Sequence, residues 1–330
     1  MADAGARSLN LLRLLARLAG GSALCIGVTT VAMAAAAPAA PAPFLWTVQG
    51  PKATHYLLGS VHLLPVAADA LPDALEDAYT QVDGVVFETD IGALAARTTQ
   101  LGFVAAGQAH SSLRGRIGTA LYARVQAQAA QLNMPPGLCD RVQAWWCALS
   151  LALYEFRDAG FSEEYGIDQH FYGEALADGK ALRWLEGVPQ HLALFTGMDA
   201  ATGRALLRAA LEPDSGGLGS PQAVYGAWRS DDDAALAGFD VRFAQRAPVL
   251  YERLIRNRNR AWLPRLRTLL EGGQAQLVVV GAAHLVGPDG LVAALRAAGY
   301  RVTPGLAAPQ RGVRTAARAG VRPVAWTPAP

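Results

Sequence analysis

Two segments of the chain share one pattern, Gly59-Ser-Val-His62 and Gly281-Ala-Ala-His284. Each follows an apolar run that reads as a strand and precedes a helical segment and a further short apolar run. A third apolar run, Gly84-Val-Val-Phe87, ends directly on Glu88, with Asp90 two residues on. In a parallel α/β sheet, ligand sites collect at the carboxyl ends of the strands. If these strands are neighbours, His62, Glu88 and His284 meet at one sheet edge. Glycine at positions 59 and 281 lets the chain turn sharply where a side chain would obstruct a ligand or metal.

Two imidazoles and a carboxylate form a three-ligand set for a catalytic divalent metal, with positions left open for water and substrate. Such an ion acidifies water and polarises a carbonyl. A second carboxylate could act as base, and Asp90 and Glu186 are the candidates, Glu186 because it too ends an apolar run. Two other chemistries use the same residues. His62 or His284 could serve as a metal-independent general base for an ester or amide, or the cleft could capture a peptide or saccharide without turning it over. No HExxH spacing, P-loop, GxGxxG or Gly-x-Ser-x-Gly elbow occurs, which argues against nucleotide binding and an α/β-hydrolase.

Arg258 is a second signal. Leu250, Leu254, Trp262 and Leu266 lie on one helical stripe, and Arg258 falls on it. An arginine on an apolar face needs a carboxylate partner or a bound anion, so Arg258 is expected to support Glu88 or a substrate carboxylate. Pro264 should kink this helix and help Asn259 reach the same site. Tyr165-Gly-Ile-Asp168 is a third candidate region, with Asp168 read as a helix cap. His55, His110, His170 and His191 have no matched context and read as surface or structural residues.

These residues require a scaffold. Strands are expected at Ala53 to Leu58, Gly84 to Phe87, Ala181 to Leu185, Gln276 to Val280 and Tyr300 to Thr303. Leu71, Leu75, Ala78 and Tyr79 fit one helical face, as do Leu291, Ala294, Leu295 and Ala298. Residues from about 92 to 270 are mostly helical, with a Gly/Ser/Pro-rich loop at Leu211 to Pro221. The fold class is therefore mixed α/β: duplicated β-GxxH-α-β units form a central sheet that carries a large helical insertion.

The chain has 330 residues, 52% hydrophobic and 17% charged, which excludes a disordered or fibrous protein. Arg7, Arg13 and Arg17, an apolar run from Leu18 to about Ala36 and Ala32-Met33-Ala34 give residues 1–34 the form of an export signal, with an uncleaved membrane anchor as the alternative. Residues 35–43 form an Ala/Pro linker, 44–305 the folded domain, and 306–330 an Arg/Pro-rich tail expected to be disordered. Beyond residue 34 basic and acidic residues are equal in number, so neither nucleic acid nor an anionic membrane is expected as a partner. Cys139 and Cys147 lie too far apart to bridge within one regular helix, at about 12 Å. Pro135-Pro136-Gly137 places Cys139 in the preceding turn, which leaves both a disulfide and two buried thiols open.

From about Phe44 to Thr303 the chain resembles the TraB/GumN family, which is related to the TIKI metalloproteases. The resemblance rests on Tyr56-Leu-Leu-Gly59-Ser-Val-His62, Val86-Phe-Glu88-Thr-Asp90 and Tyr165-Gly-Ile-Asp168. It continues in Leu185-Glu186 with Gln190, Arg258-Asn259 with Trp262, and Val280-Gly281-Ala-Ala-His284-Leu-Val-Gly287. It implies metal-dependent cleavage of a peptide or other small substrate. His62, Glu88 and His284 would hold a divalent ion (Mn, Co or Zn), and Arg258 would support them.

Overall fold

The computed structural model describes residues 44–66, 70–212 and 220–307. The export signal, the linker, most of the Gly/Ser/Pro-rich loop and the tail from 308 lie outside the described residues. Eight strands occur among those described: β1 (Leu45–Gln49), β2 (Thr54–Ser60), β3 (Leu64–Pro65), β4 (Gly84–Phe87), β5 (Phe161–Ser162), β6 (Ala181–Trp184), β7 (Gln276–Gly281) and β8 (Arg301–Pro304). Six form one sheet in the order β6-β4-β7-β2-β1-β8, while β3 and β5 pair separately. Strands β6, β4, β7 and β2 are parallel, and β1 runs antiparallel to both β2 and β8.

The expected strands form, and β1 joins them as a further buried strand. β2 and β4 are not neighbours, because β7 inserts between them. The two β-GxxH-α-β units therefore interlock: β7 of the second lies inside the first, and β2 of the first lies inside the second. Sequence explains why β7 takes the centre. Leu277, Val278, Val279 and Val280 are fully buried on both faces, and β-branched residues suit a strand covered on two sides. The edge strand β8 buries only Val302.

Helices Asp73–Thr80, Ile167–Ala177, Asn257–Leu270 and Leu291–Ala297 pack on this sheet through Leu75, Phe171, Trp262, Leu266 and Leu295. Pro72 occupies the N-cap position of the first of these helices. A second apolar cluster sits in the helical insertion, where Leu113, Val125, Leu151 and Leu207 meet. There Cys139 and Cys147 are joined by a disulfide with Cα atoms 5.2 Å apart. Cys139 lies before the helix Ala144–Asp158 and Cys147 within it, which brings the pair within reach. Among the described residues no helix is long and apolar enough to cross a membrane.

The run that carries Arg258 has three parts: Pro248–Tyr251, a π-helical turn at Glu252–Arg256, and Asn257–Leu270. The helix continues through Pro264. A π turn interrupts the run just before Arg258.

Candidate active site at the carboxyl edge of the sheet

Four parallel strands end at one edge, and each delivers a polar residue just beyond its last pairing. β2 leads to His62, β7 to His284, β4 to Glu88 and β6 to Glu186. The backbone hydrogen bonds continue past the strands, since Glu186 N donates to Glu88 O at 2.9 Å. The two matched glycines are offset by one residue: Gly59 pairs with Val280, and Ser60 with Gly281. Side chains alternate along a strand, so this offset places the two glycines on opposite faces. Gly59 lies within a strand, not at a turn. A Cβ there would meet Ala282 Cα and Phe44 Cβ, each at 3.1 Å. Its carbonyl accepts from Trp228 Nε1 at 2.8 Å. Gly59 serves packing, and only Gly281 faces the site.

His62 is oriented by Asp168. The Nδ1 atom lies 2.8 Å from Asp168 Oδ2, and Ser60 Oγ donates to Asp168 Oδ1 at 3.0 Å. Asp168 is not the helix cap expected from sequence. Its helix is capped by Gly166 without a side-chain bond, and Asp168 sits in the first turn with its carboxylate on His62. Glycine is needed at 166 because a Cβ would fall 2.2 Å from the His62 carbonyl. Asp168 raises the His62 pKa to about 9, with help from Glu88 and against the partial desolvation of a ring that stays open on one side. The His62 side chain remains 58% exposed, and its Nε2 faces the space in front of Gly281.

Beside it lies a buried ionic network. Arg258 Nη2 donates to Glu88 Oε2 at 2.5 Å and to Glu186 Oε1 at 2.7 Å. Its Nε reaches Glu186 Oε2 at 3.3 Å, and its guanidinium lies 4.4 Å from the centre of the Trp262 ring. Trp262 Nε1 also donates to Glu186 Oε2, at 3.0 Å. Glu88 Oε1 accepts from Gly281 N at 2.8 Å. The side chains of Glu88, Glu186 and Arg258 are only 9%, 9% and 10% exposed. Burial pulls both carboxyl pKa values upward. For Glu88 it is outweighed by Arg258, by His62 and by the hydrogen bond from Gly281 N, which hold the acid well below the usual range. Glu186 is lowered too, through its bonds to His191 and Arg258. Arg258 points inward onto two acids, as a charge on an apolar helical stripe requires.

The tautomer of His284 follows from Asn259. The Asn259 Nδ2 donates to the carbonyls of His284 (3.1 Å) and Asp289 (2.8 Å), which fixes the amide orientation. Its Oδ1 therefore faces His284 Nδ1 at 2.7 Å, and Nδ1 carries the hydrogen. The Nε2 lone pair is left to accept from Arg258 Nη1 at 3.0 Å. Burial lowers the His284 pKa to about 3, against the pull of Glu88, so this imidazole is neutral.

His62, Glu88, Asp168, Glu186, Arg258, Asn259, Gly281 and His284 thus come together. Asp90 and Tyr165 have no hydrogen bond to the network among the described residues. Asp90 caps the helix Ile91–Ala95 through Ala93 N at 2.9 Å, and Tyr165 ends a 3-10 turn with 46% exposure. Sequence reasoning missed Ser60 and His191. His191 Nδ1 lies 2.8 Å from Glu186 Oε1. The signal was its place in the first turn of the helix that starts at Val188, directly after the strand-end acid. His170, read as isolated, meets Glu76 at 2.7 Å.

Two observations bear on a metal. A Cβ at Gly281 would lie 3.3 Å from Glu88 Oε1, 3.5 Å from His62 Nε2 and 3.6 Å from His284 Cδ2. The absent methyl leaves a space that Glu88 Oε1 and His62 Nε2 face, with the Cδ2 edge of the His284 ring beside them, and His284 Nε2 is 3.8 Å from Glu88 Oε1. Asp168, Glu88 and Glu186 also outnumber the cations Arg258 and His62, which favours a further positive charge. Glu88, Glu186 and His191 bring donor atoms within 4.8 Å of one another as well. Arg258 Nη2 already binds both of those acids and lies 3.4 Å from His191 Nδ1, so a guanidinium fills that position. Arg258 also meets His284 Nε2 and Glu88 Oε2 beside the space over Gly281, where His62, Glu88 and His284 do not bring three donor atoms within 4.8 Å of one another.

The model of the TraB/PrgY/gumN family matches residues 44–304. The match spans most of the chain, and the chain belongs to that family. No curated protein and no solved structure matches it.

Proposed function

We propose that this member of the TraB/PrgY/gumN family is an exported, metal-dependent hydrolase that cleaves peptide bonds. His62, Glu88 and His284 would hold the divalent ion, with Mn, Co and Zn as the candidates. The observation that carries this reading is the cradle over Gly281, where Glu88 Oε1 and His62 Nε2 face the volume of one missing methyl and the ring edge of His284 lies beside it. A bound ion supplies Lewis acidity, acidifying water and polarising a carbonyl.

The chain's own residues do the rest. Asp168 fixes the ring of His62, with its Nδ1 on the carboxylate and its Nε2 toward the cradle, an arrangement common behind metal-ligating histidines. Asn259 sets the tautomer of His284. Arg258 and Gly281 N keep Glu88 ionised in a buried place. Ligation requires His62 to release the proton that Asp168 stabilises. The same raised pKa counts against His62 as a metal-independent base, because the imidazole is protonated near neutrality. Ser60 donates to Asp168 rather than to His62, so the trio is not a serine-nucleophile triad. Export is supported by the leader-like residues 1–34 and by the Cys139–Cys147 disulfide, which suits an oxidising compartment.

The reaction is tested by incubating the protein from Pro41 onward with a mixed peptide library and mapping new amino termini. Cleavage that a chelator stops, that Mn, Co or Zn restores, and that His62→Ala lacks supports the reading. A library left intact under every metal condition contradicts it.

A further inference from the structure

The reading above makes Arg258 a supporting residue, but its geometry gives it an opposing role as well. The Nη1 atom lies 3.0 Å from His284 Nε2. With the hydrogen of His284 fixed on Nδ1 by Asn259, Nε2 has a single lone pair, and Arg258 occupies it. One lone pair cannot both accept a hydrogen bond and ligate an ion. The guanidinium also neutralises Glu88 through Oε2, so it already supplies the positive charge that a metal would bring.

We propose that Arg258 is an internal competitor for the cation, and that it must withdraw Nη1 from His284 before the ion can take its full ligand set. This rests on the metal reading of the same site. The guanidinium is a rigid plane, so the withdrawal tilts the whole group about its bonds to Glu88 and Glu186 through Nη2 and Nε. Nη1 has a second acceptor in the Leu254 carbonyl at 3.4 Å, in the π-helical turn that precedes it. Such turns interrupt the regular hydrogen-bond ladder and are frequent at functional sites. The device sets the affinity of the cradle: the ion enters only by paying for a charge-assisted hydrogen bond.

The test is the affinity for Zn(II) and Mn(II), measured by competition with a chelating indicator, in the parent protein, Arg258→Lys and His62→Ala. A lysine keeps one cation for Glu88 and Glu186 but lacks the second nitrogen of the fork. Arg258→Lys is expected to bind the ion about tenfold more tightly or better, the worth of one such bond. Equal or weaker binding overturns the competitor role. A second readout uses only the parent chain: with arginine selectively labelled at its side-chain nitrogens, the Arg258 signals should move when Zn(II) is added. Signals that stay fixed at saturating ion also overturn it. The two levels separate. Binding that His62→Ala abolishes but Arg258→Lys leaves unchanged removes the competitor and keeps the metal site. No binding in the parent or in Arg258→Lys removes both.

Discussion

Gly281→Ala and Gly59→Ala should have opposite consequences, although the sequence presents the two glycines as equivalents. Gly281 has φ −50°, which alanine adopts without strain. The added methyl would lie 3.3 Å from Glu88 Oε1 and 3.5 Å from His62 Nε2. The backbone cost is nil, and reduced freedom of the unfolded chain returns about 0.4–1 kcal/mol. A tight carboxylate contact offsets that gain, so stability should stay within about 1 kcal/mol of the parent. An ion needs ligand distances of about 2.0–2.2 Å, and the methyl takes its place between the donors. Metal affinity should therefore fall at least about 100-fold, or ~2.7 kcal/mol. Gly59→Ala presses a methyl onto Ala282 Cα, Phe44 Cβ and Ala282 Cβ at 3.1–3.2 Å. Such overpacking of a core costs about 1–3 kcal/mol, while binding survives in the folded fraction. Thermal melting and ion titration of both variants decide the matter. Parent-like metal affinity in a folded Gly281→Ala protein would refute the cradle.

Burial, with Asp289 adding to it, raises the Asp240 pKa to about 7 in the folded state, against 3.8 for the unfolded residue. The folded chain then binds more protons between those values, so stability present below about pH 4 is lost as pH rises through 7. Asp240→Asn should gain stability over the parent between pH 5 and pH 8, up to a limit of about 4 kcal/mol. Denaturant melts across that range test it, and a pH-independent difference would contradict it. Asn259→Ala should cost about 2–4 kcal/mol by stranding His284 Nδ1 and two carbonyls. It should also weaken ion binding through the lost tautomer, which titration of the folded variant would show. Reducing the Cys139–Cys147 bridge, which spans 8 positions, should lower stability by about 2.5 kcal/mol on loop-closure grounds. An unchanged melting temperature under reductant would count against that.

Much of the site was legible in the sequence because strand-end residues can be read locally. The apolar runs before His62, Glu88, Glu186 and His284 end where the residue type changes, and that change marks the carboxyl edge. Arg258 stood out as the one charge on an apolar stripe, and the cost of burying it unpaired pointed to Glu88 or a substrate carboxylate, while Glu186 as its second partner was not foreseen. What could not be read was long-range. Nothing local says that β7 lies between β2 and β4, or that its register shifts the two glycines by one residue. That single offset separates Gly59, which packs against Ala282, from Gly281, which opens the cradle. Asp168 was misread because a cap and a first-turn acid look alike in sequence. The difference is one helix start, at Gly166, and a partner more than one hundred residues away in His62. His191 was hidden similarly, since its role depends on where Glu186 sits.

The central claim is most directly tested by elemental analysis of the protein from Pro41 onward, with His62→Ala and His284→Ala beside it. Each is prepared without chelators and resupplied with Mn, Zn and Co. The account predicts about one ion per parent chain, at the affinity that separates a site from adventitious binding, and none in either variant while both still melt cooperatively. A parent without metal under all three conditions, or variants that keep it, would contradict the account.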